Sequence, residues 1–297
     1  MTTVQHEIAV STWSLQKLTI AEGRSLEDLL PTFESFGIDA LEINEDYSRL
    51  PQYANARARR TLRSRITDAG LRVASTWFYT DILGAVETAS LNKLIDQIEN
   101  CFEIASDFGA QVVVMTPVDS LPEYMTERGR EKFRSIVEEL VPLARSYKLT
   151  MGLESGRSQG EFCTPQAVTK LVREIAQPEL TVVPDFEAWR VATEDLPLTH
   201  VERQEAAPPA PAELPLFEEC LPLARLVHAK LLRLDEAGEE PHFPISEMMS
   251  AIRDSARSHI INIEYEGWIP DIDPHLDCIE ETRRCVQLIK RHLAAPR

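Results

Sequence analysis

LTMGLES at residues 149–155 and LTVVPDF at 180–186 are the two runs on which the fold turns. Each is a short apolar, β-favouring stretch that ends in a carboxylate, Glu154 in the first and Asp185 in the second. An amphipathic stretch of helical length separates them, so together they read as one βα unit of a parallel sheet. The same grammar continues outward in both directions. Upstream lie EIAVSTW (7–13), IDALEIN (38–44), LRVASTW (71–77) and AQVVVMT (110–116), and downstream ARLVHAK (224–230) and HIINIEYEG (259–267). Between them, Leu91, Leu94, Ile95, Ile98, Phe102 and Ala105, and then Phe133, Ile136, Val137, Leu140 and Ala144, recur at helical spacing. Gly37, Gly70 and Gly109 each stand just before a strand, where a left-handed helix end belongs. Eight strands with a helix after each predict an α/β chain closed into a single (β/α)8 TIM barrel over residues 1–297. A doubly wound open sheet is the alternative, but no GxGxxG follows the first strand.

Two segments interrupt the rhythm. Residues 191–215 contain EAAPPAPAELP, too rich in proline for a helix or a central strand; as a long βα connection it is read as a lid or an exposed connector. EAGEEPHFP at 236–244 follows the seventh strand on the same barrel face.

Composition narrows the partners. With 31 Lys plus Arg against 48 Asp plus Glu, the net charge of −17 repels a phosphate backbone, so no nucleic-acid partner is expected. The opening MTTVQHEIAVSTW lacks the pattern of a signal peptide, and no apolar run approaches the roughly 18 residues of a membrane span. A cytoplasmic protein without a membrane role is therefore expected. Cys101, Cys163, Cys220, Cys278 and Cys285 are odd in number and contain no CxxC pair, which signals neither a disulfide framework nor a thiolate metal site.

On a (β/α)8 barrel the active site forms at the C-terminal strand ends, so polar residues closing apolar strands are the informative ones. The last four strands each close on a metal-ligand type: Glu154, Asp185, His228 and Glu264. Three carboxylates and one imidazole suit one divalent ion, Mn²⁺ foremost, with Mg²⁺, Co²⁺ or Zn²⁺ as alternatives. Glu266 lies on the same strand face as Glu264 and is the competing ligand; Glu264 is preferred because it sits nearer the apolar strand body. All four tryptophans, Trp13, Trp77, Trp189 and Trp268, fall at or just beyond strand ends, with Phe78 and Tyr79 beside Trp77. They suggest an aromatic wall for a sugar ring or an aromatic aglycone, with one or two of them packing loops instead. Arg157, Arg190 and Arg233 are loop cations able to meet a phosphate, but they are scattered, and an unphosphorylated substrate is favoured.

GLES, VVPDFEAW, LVHAK and INIEYEG, in that order, make the chain resemble the xylose isomerase-like barrels. That superfamily includes sugar isomerases, ketose 3-epimerases, inosose dehydratases and relatives of the apurinic endonucleases. The resemblance implies a metal held by Glu154, Asp185, His228 and Glu264, with Lys230 of the His-x-Lys pair near the substrate. It also implies catalysis by Glu154 and Glu264 on opposite sides of the substrate carbon, with Lys230 as a further catalytic candidate. Trp13, Trp77, Trp189, Arg233, Glu266 and Trp268 are the expected substrate-binding residues. One departure is Ala188, which stands where many relatives carry a substrate-binding histidine.

The implied reaction removes a proton next to a carbonyl and passes through an enediolate, which a chelating divalent ion stabilises. Returning the proton gives isomerisation or epimerisation of a small sugar. Losing a β-substituent instead gives a lyase, either on 3-oxo-glycosides as in the C-glycoside deglycosidases or as in inosose dehydration. A homo-oligomer is expected in the first case, and a small β subunit beside the barrel in the deglycosidase case. An apurinic endonuclease is disfavoured, because strands three and four end in STWFYTD and VVVMTP without the further histidines of a three-zinc cluster. A non-catalytic sugar-binding barrel is the remaining alternative.

Overall fold

The computed structural model describes residues 4–80, 91–117, 127–156, 163–191, 211–268 and 273–295. Most of the proline-rich insertion and Arg157 fall outside the described residues. Eight strands are present: β1 (Glu7–Ser11), β2 (Ala40–Asn44), β3 (Arg72–Thr80), β4 (Val112–Pro117), β5 (Thr150–Ser155), β6 (Leu180–Pro184), β7 (Leu226–Leu231) and β8 (Ile260–Tyr265). All pair in parallel, in the order β6-β5-β4-β3-β2-β1-β8-β7. The seam between β6 and β7 is held by two single bridges, Val182 to Ala224 and Asp185 to His228, which makes the barrel nearly closed. Every expected strand is found, each followed by a helix.

The helix ends follow the expected chemistry. Gly37, Gly70 and Gly109 have φ of 63°, 76° and 78°, turning the chain from a helix into β2, β3 and β4. Before β5 and β6 the same turn is made by Lys148 and Ala176, at φ of 60° and 50°, so glycine was not a complete guide. Phe33, Phe102, Phe108, Phe186 and Phe217 fill the apolar shell between strands and helices, and all five cysteines are buried free thiols.

Inside the barrel a second, smaller apolar layer is built from Ala9, Ala40, Ala74, Val112, Val114, Val183, Leu226 and Ile260. Its residues alternate along each strand with the polar groups above them, as period-two geometry requires: Gly152 below Glu154, Val183 below Asp185, Leu226 below His228, Ile260 below Asn262. Gly152 is there for space, since a Cβ would lie 2.6 Å from Val183 Cγ2 and 3.2 Å from Val112 Cγ1.

One irregularity re-aims a strand. Leu41 pairs with Val73 and Glu42 with Ser75, leaving Ala74 as an extra residue in β3. A bulge of this kind shifts the side-chain alternation by one. Ala74 packs in the inner layer, Ser75 reaches Glu42 and Trp77 packs on the same inner layer, while Phe78 is buried in the outer shell.

Candidate metal centre

Four side chains meet at the C-terminal mouth of the barrel. Glu154, Asp185, His228 and Glu264 are all buried, and one potential ligand atom from each lies within 4.8 Å of the others. Ligands about 2.0–2.3 Å from one ion are separated by up to roughly 4.5 Å, so the cluster has nearly the size of a coordination shell.

Each member is oriented by its neighbours. Glu154 Oε2 accepts from Trp77 Nε1 at 2.9 Å and from the Thr116 hydroxyl, and Oε1 lies 2.5 Å from His228 Nδ1. The other ring nitrogen, Nε2, is 3.1 Å from Glu42 Oε2. Glu42 is itself buried and fixed, taking hydrogen bonds from Ser75 Oγ at 2.8 Å and Asn262 Nδ2 at 2.7 Å. Glu42 therefore holds Nε2 and leaves Nδ1 turned toward the Glu154 and Glu264 carboxylates. Asp185 Oδ1 caps the short turn Phe186–Trp189 by accepting from Glu187 N at 2.9 Å. Among the described residues Asp185 Oδ2 has no hydrogen bond of good geometry, and it lies 3.1 Å from the Lys230 ammonium.

Lys230 carries positive charge into this cluster. Lys230 Nζ also lies 3.3 Å from Glu187 Oε2 and 3.4 Å from Glu266 Oε2, so one ammonium serves three carboxylates. Burial works against its charge, but Asp185, Glu266, Glu187 and Glu264 outweigh burial and keep it protonated. Burial likewise opposes the ionisation of Glu154, yet His228, Lys230 and Thr116 bring its carboxyl down to about 2. For Asp185, burial and the neighbouring Glu154 and Glu187 prevail over Lys230 and raise the carboxyl to about 7. Glu264 is pushed well above the usual range by burial and by Glu266. His228 is raised by Glu42 and Glu154 despite its burial.

A divalent cation fits this donor set. The oxygen and nitrogen ligands are those of hard or borderline ions, and Asp185 keeps a buried carboxylate oxygen that has no hydrogen bond among the described residues. Glu264 belongs to the convergent set and Glu266 does not: Glu266 Oε1 accepts from Trp13 Nε1 at 3.0 Å, and its other oxygen faces Lys230.

The chain belongs to the xylose isomerase-like TIM barrel family. The family pattern matches residues 32–282. Among solved members of this architecture, a D-psicose 3-epimerase from Clostridium cellulolyticum H10, in complex with D-tagatose, superposes with a TM-score of 0.72 at 13% identity, covering 97% of this chain and 100% of that one. A 3-keto-D-glucoside 4-epimerase from E. coli gives a TM-score of 0.65 at 16% identity, again over 97% and 100%. By sequence, the C-glycoside deglycosidase alpha subunit of Arthrobacter globiformis is 40% identical over 58 residues, which are 20% of this chain and 16% of that subunit. The match thus spans well under a fifth of that relative's length.

Within the family frame, several expected residues are placed differently from one another. Trp13 and Trp77 are half-buried and their indole nitrogens engage Glu266 and Glu154. Trp268 is half-buried beyond β8, across Gly267, where any side chain would collide with Leu232 O. Trp189 packs a loop. It is buried against Phe217 at 5.0 Å between ring centres and donates to Glu213 O at 3.0 Å, because it belongs to the capped turn after β6 and packs that turn onto the next helix. Arg233 is exposed, and what anchors it is its backbone N–H, which donates to Glu240 Oε2 at 2.7 Å.

Glu42 and Glu187 were missed by sequence reasoning. Glu42 had a signal, a lone carboxylate inside the apolar run ALEIN. Glu187, two residues beyond Asp185, supplies a buried carboxylate near the position of the missing histidine.

Among the described residues, no helix is long and apolar enough to cross a membrane.

Proposed function

We propose that this chain is a metal-dependent epimerase or isomerase of keto sugars that moves a proton next to a carbonyl. The convergence of Glu154, Asp185, His228 and Glu264 at the barrel mouth carries the reading. A divalent ion held there, Mn²⁺ by expectation, supplies Lewis-acid stabilisation of the enediolate that such a proton transfer creates.

The chain's own residues divide the remaining work. Glu264 is the proton carrier: its side chain is 10% exposed, against 3% for Glu154 and none for Asp185, which leaves it the most accessible carboxylate of the cluster. Glu154 is anchored by Trp77, Thr116 and His228, which suits a ligand and limits it as a base to the opposite face of the substrate. Lys230, charged and ringed by carboxylates, donates hydrogen bonds and does not abstract protons. Glu266, Trp13 and Trp77 border the same mouth and would orient the sugar.

A second reading, loss of a substituent from a 3-oxo-glycoside, is favoured by the stretch shared with the deglycosidase subunit. Both readings begin with the same proton abstraction and part only at the fate of the enediolate. Elemental analysis of the purified protein, followed by proton exchange in D₂O with ketoses and 3-oxo-glycosides, tests them together. One divalent ion per chain and exchange with a free ketose support the epimerase. Release of aglycone from 3-oxo-glycosides, above all with a copurifying small protein, transfers the assignment to the lyase. Absence of exchange with every substrate in the presence of metal sinks both.

A further inference from the structure

The helix Ala56–Asp68 is basic in an acidic chain. Its sequence, ARARRTLRSRITD, carries five arginines and one aspartate, while the chain as a whole has a net charge of −17. Part of that positive charge is matched within the chain. Arg59 and Arg60 bind Asp107 of the neighbouring helix Leu91–Phe108, at 2.7 and 2.6 Å, and Arg65 lies 3.5 Å from Glu27. Arg57 and Arg63 are exposed and have no carboxylate partner among the described residues; the Arg63 guanidinium lies over Gly109, where a Cβ would be 2.4 Å from its Cζ. The arrangement works against the helix. Arg57 stands in the first turn, which contains no acidic residue, at the positive end of the helix dipole. Arg57, Arg60 and Arg63 follow one another at the spacing of helix neighbours, so like charges adjoin. Other helices of the barrel open the opposite way, with Glu27 and Asp28, or Glu280 and Glu281, in the first turn. A local arrangement that costs helix stability is retained where something outside the helix compensates it.

Compensating charge lies on the same face. The helix Leu91–Phe108 sets Asp96, Glu99, Glu103 and Asp107 against Lys93, and Asp96 and Glu103 are exposed. Glu103 Oε1 is 3.7 Å from Arg59 Nη2, so the acidic helix runs directly beside the basic one. A face with a positive and a negative ridge side by side complements itself when a second copy is turned about a two-fold axis lying between the ridges. From this we infer that the helices Ala56–Asp68 and Leu91–Phe108 form a self-association surface, the basic helix of one copy resting on the acidic helix of the other. Arg57 and Arg63 then gain the carboxylates they lack. An unrelated acidic protein or a nucleic acid laid along the arginine row would meet Glu27 on one side and Asp96 and Glu103 on the other, and be repelled by both. A second copy brings its own arginines to those carboxylates. The large apolar side chain exposed on these two helices is Leu91, so charge rather than apolar area holds the contact, and salt weakens it. The surface lies on the outer wall of the barrel and does not depend on the reaction proposed at the mouth.

The test is sedimentation velocity of the full chain at low and high salt. A dimer is expected in about 50 mM NaCl, with its association weakened about tenfold or more in about 500 mM. Two charge-reversed chains then probe the pairing: Arg57→Glu with Arg63→Glu, and Asp96→Arg with Asn100→Arg, Asn100 being exposed one turn beyond Asp96. Each alone should sediment as a monomer. An equimolar mixture should recover the dimer, because only in the mixed pair does each helix again meet its opposite charge. Arg57→Glu brings a favourable charge to the helix N-terminus, so stability in urea should not fall and lost association is not lost fold. Arg57→Ala with Arg63→Ala, which preserves helix propensity, should weaken the dimer in the same direction. A monomer at low salt, a dimer indifferent to salt, a dimer that survives either reversed pair, or a mixture of folded variants that stays monomeric overturns the surface. So does an unaltered chain that remains monomeric yet is retained by heparin through Arg57 and Arg63, which would assign the row to a polyanion.

Discussion

The two ends of the barrel use similar residues to opposite effect. At the floor, where the strands begin, Arg72 is paired with Glu7, and Arg225 donates to Thr150 Oγ1 at 3.0 Å and Gln111 Oε1 at 3.1 Å. His259 is satisfied as a neutral ring, with Nδ1 donating to Ala224 O at 3.1 Å and Nε2 2.7 Å from the Ser255 hydroxyl. At the mouth, among the described residues, Glu42, Glu154, Asp185, Glu187, Glu264 and Glu266 crowd around Lys230 and His228, and Asp185 Oδ2 has no hydrogen bond of good geometry. Completed polar networks stabilise a fold, while uncompensated buried charge costs stability and is retained where a ligand supplies the missing partner. The floor is therefore expected to govern folding and the mouth to govern binding and turnover.

The strongest way to break that contrast is at Glu264. Glu264→Gln should lower turnover and D₂O exchange by roughly 10²–10⁴-fold at saturating metal, while metal-free stability in urea stays level or rises, since a buried carboxylate crowded by others is replaced by a neutral isostere. Glu154→Gln should cost less turnover than Glu264→Gln; if the order is reversed, Glu154 is the main base and the division of labour proposed above is wrong.

His259 offers the matching test at the floor. Burial and the adjacent His6 lower its pKa from 6.5 to about 4 in the folded chain. Between these values the unfolded chain takes up a proton that the folded chain refuses, so stability is full above about 6.5, falls as pH drops, and has lost this contribution entirely below about 4. The total is about 3 kcal/mol, at roughly 1.4 kcal/mol per unit. Urea melts of His259→Gln should show a shallower acid decline across that window than the unaltered protein, with metal affinity unchanged at neutral pH. An equal slope would mean that the ring is not held neutral.

Glu42 sits between the two behaviours, a fully satisfied carboxylate that faces the mouth. Glu42→Gln should weaken Mn²⁺ or Co²⁺ binding by calorimetry about 10–100-fold, because the amide no longer fixes the imidazole through Nε2. Unaltered affinity would show that His228 needs no such support. The smallest effect is expected from Arg225→Met, about 1–2 kcal/mol of stability from two lost hydrogen bonds and no change in metal binding.

Much of this was readable in one dimension. Alternating runs of strand and helix determined the barrel, and the rule that barrel strands end at the active face picked out Glu154, Asp185, His228 and Glu264 without any contact information. Position along a strand is a local property, and the period of two translates it directly into depth and face. What tertiary structure alone decided was every question of partnership. Glu264 was preferred to Glu266 from its place nearer the apolar strand body, but the contacts of Glu266 with Trp13 and Lys230 are visible only in three dimensions. Glu42 looked like one more strand residue until the bulge at Ala74 brought Ser75 to it and the closed barrel brought His228. Trp189, at a strand end like Trp77, turned away to pack on Phe217, and Trp77 turned inward because one extra residue shifted β3 by half a period. Barrel closure and bulges join residues that are far apart in sequence, and the hydrophobic pattern of a single strand carries no record of its neighbours' register.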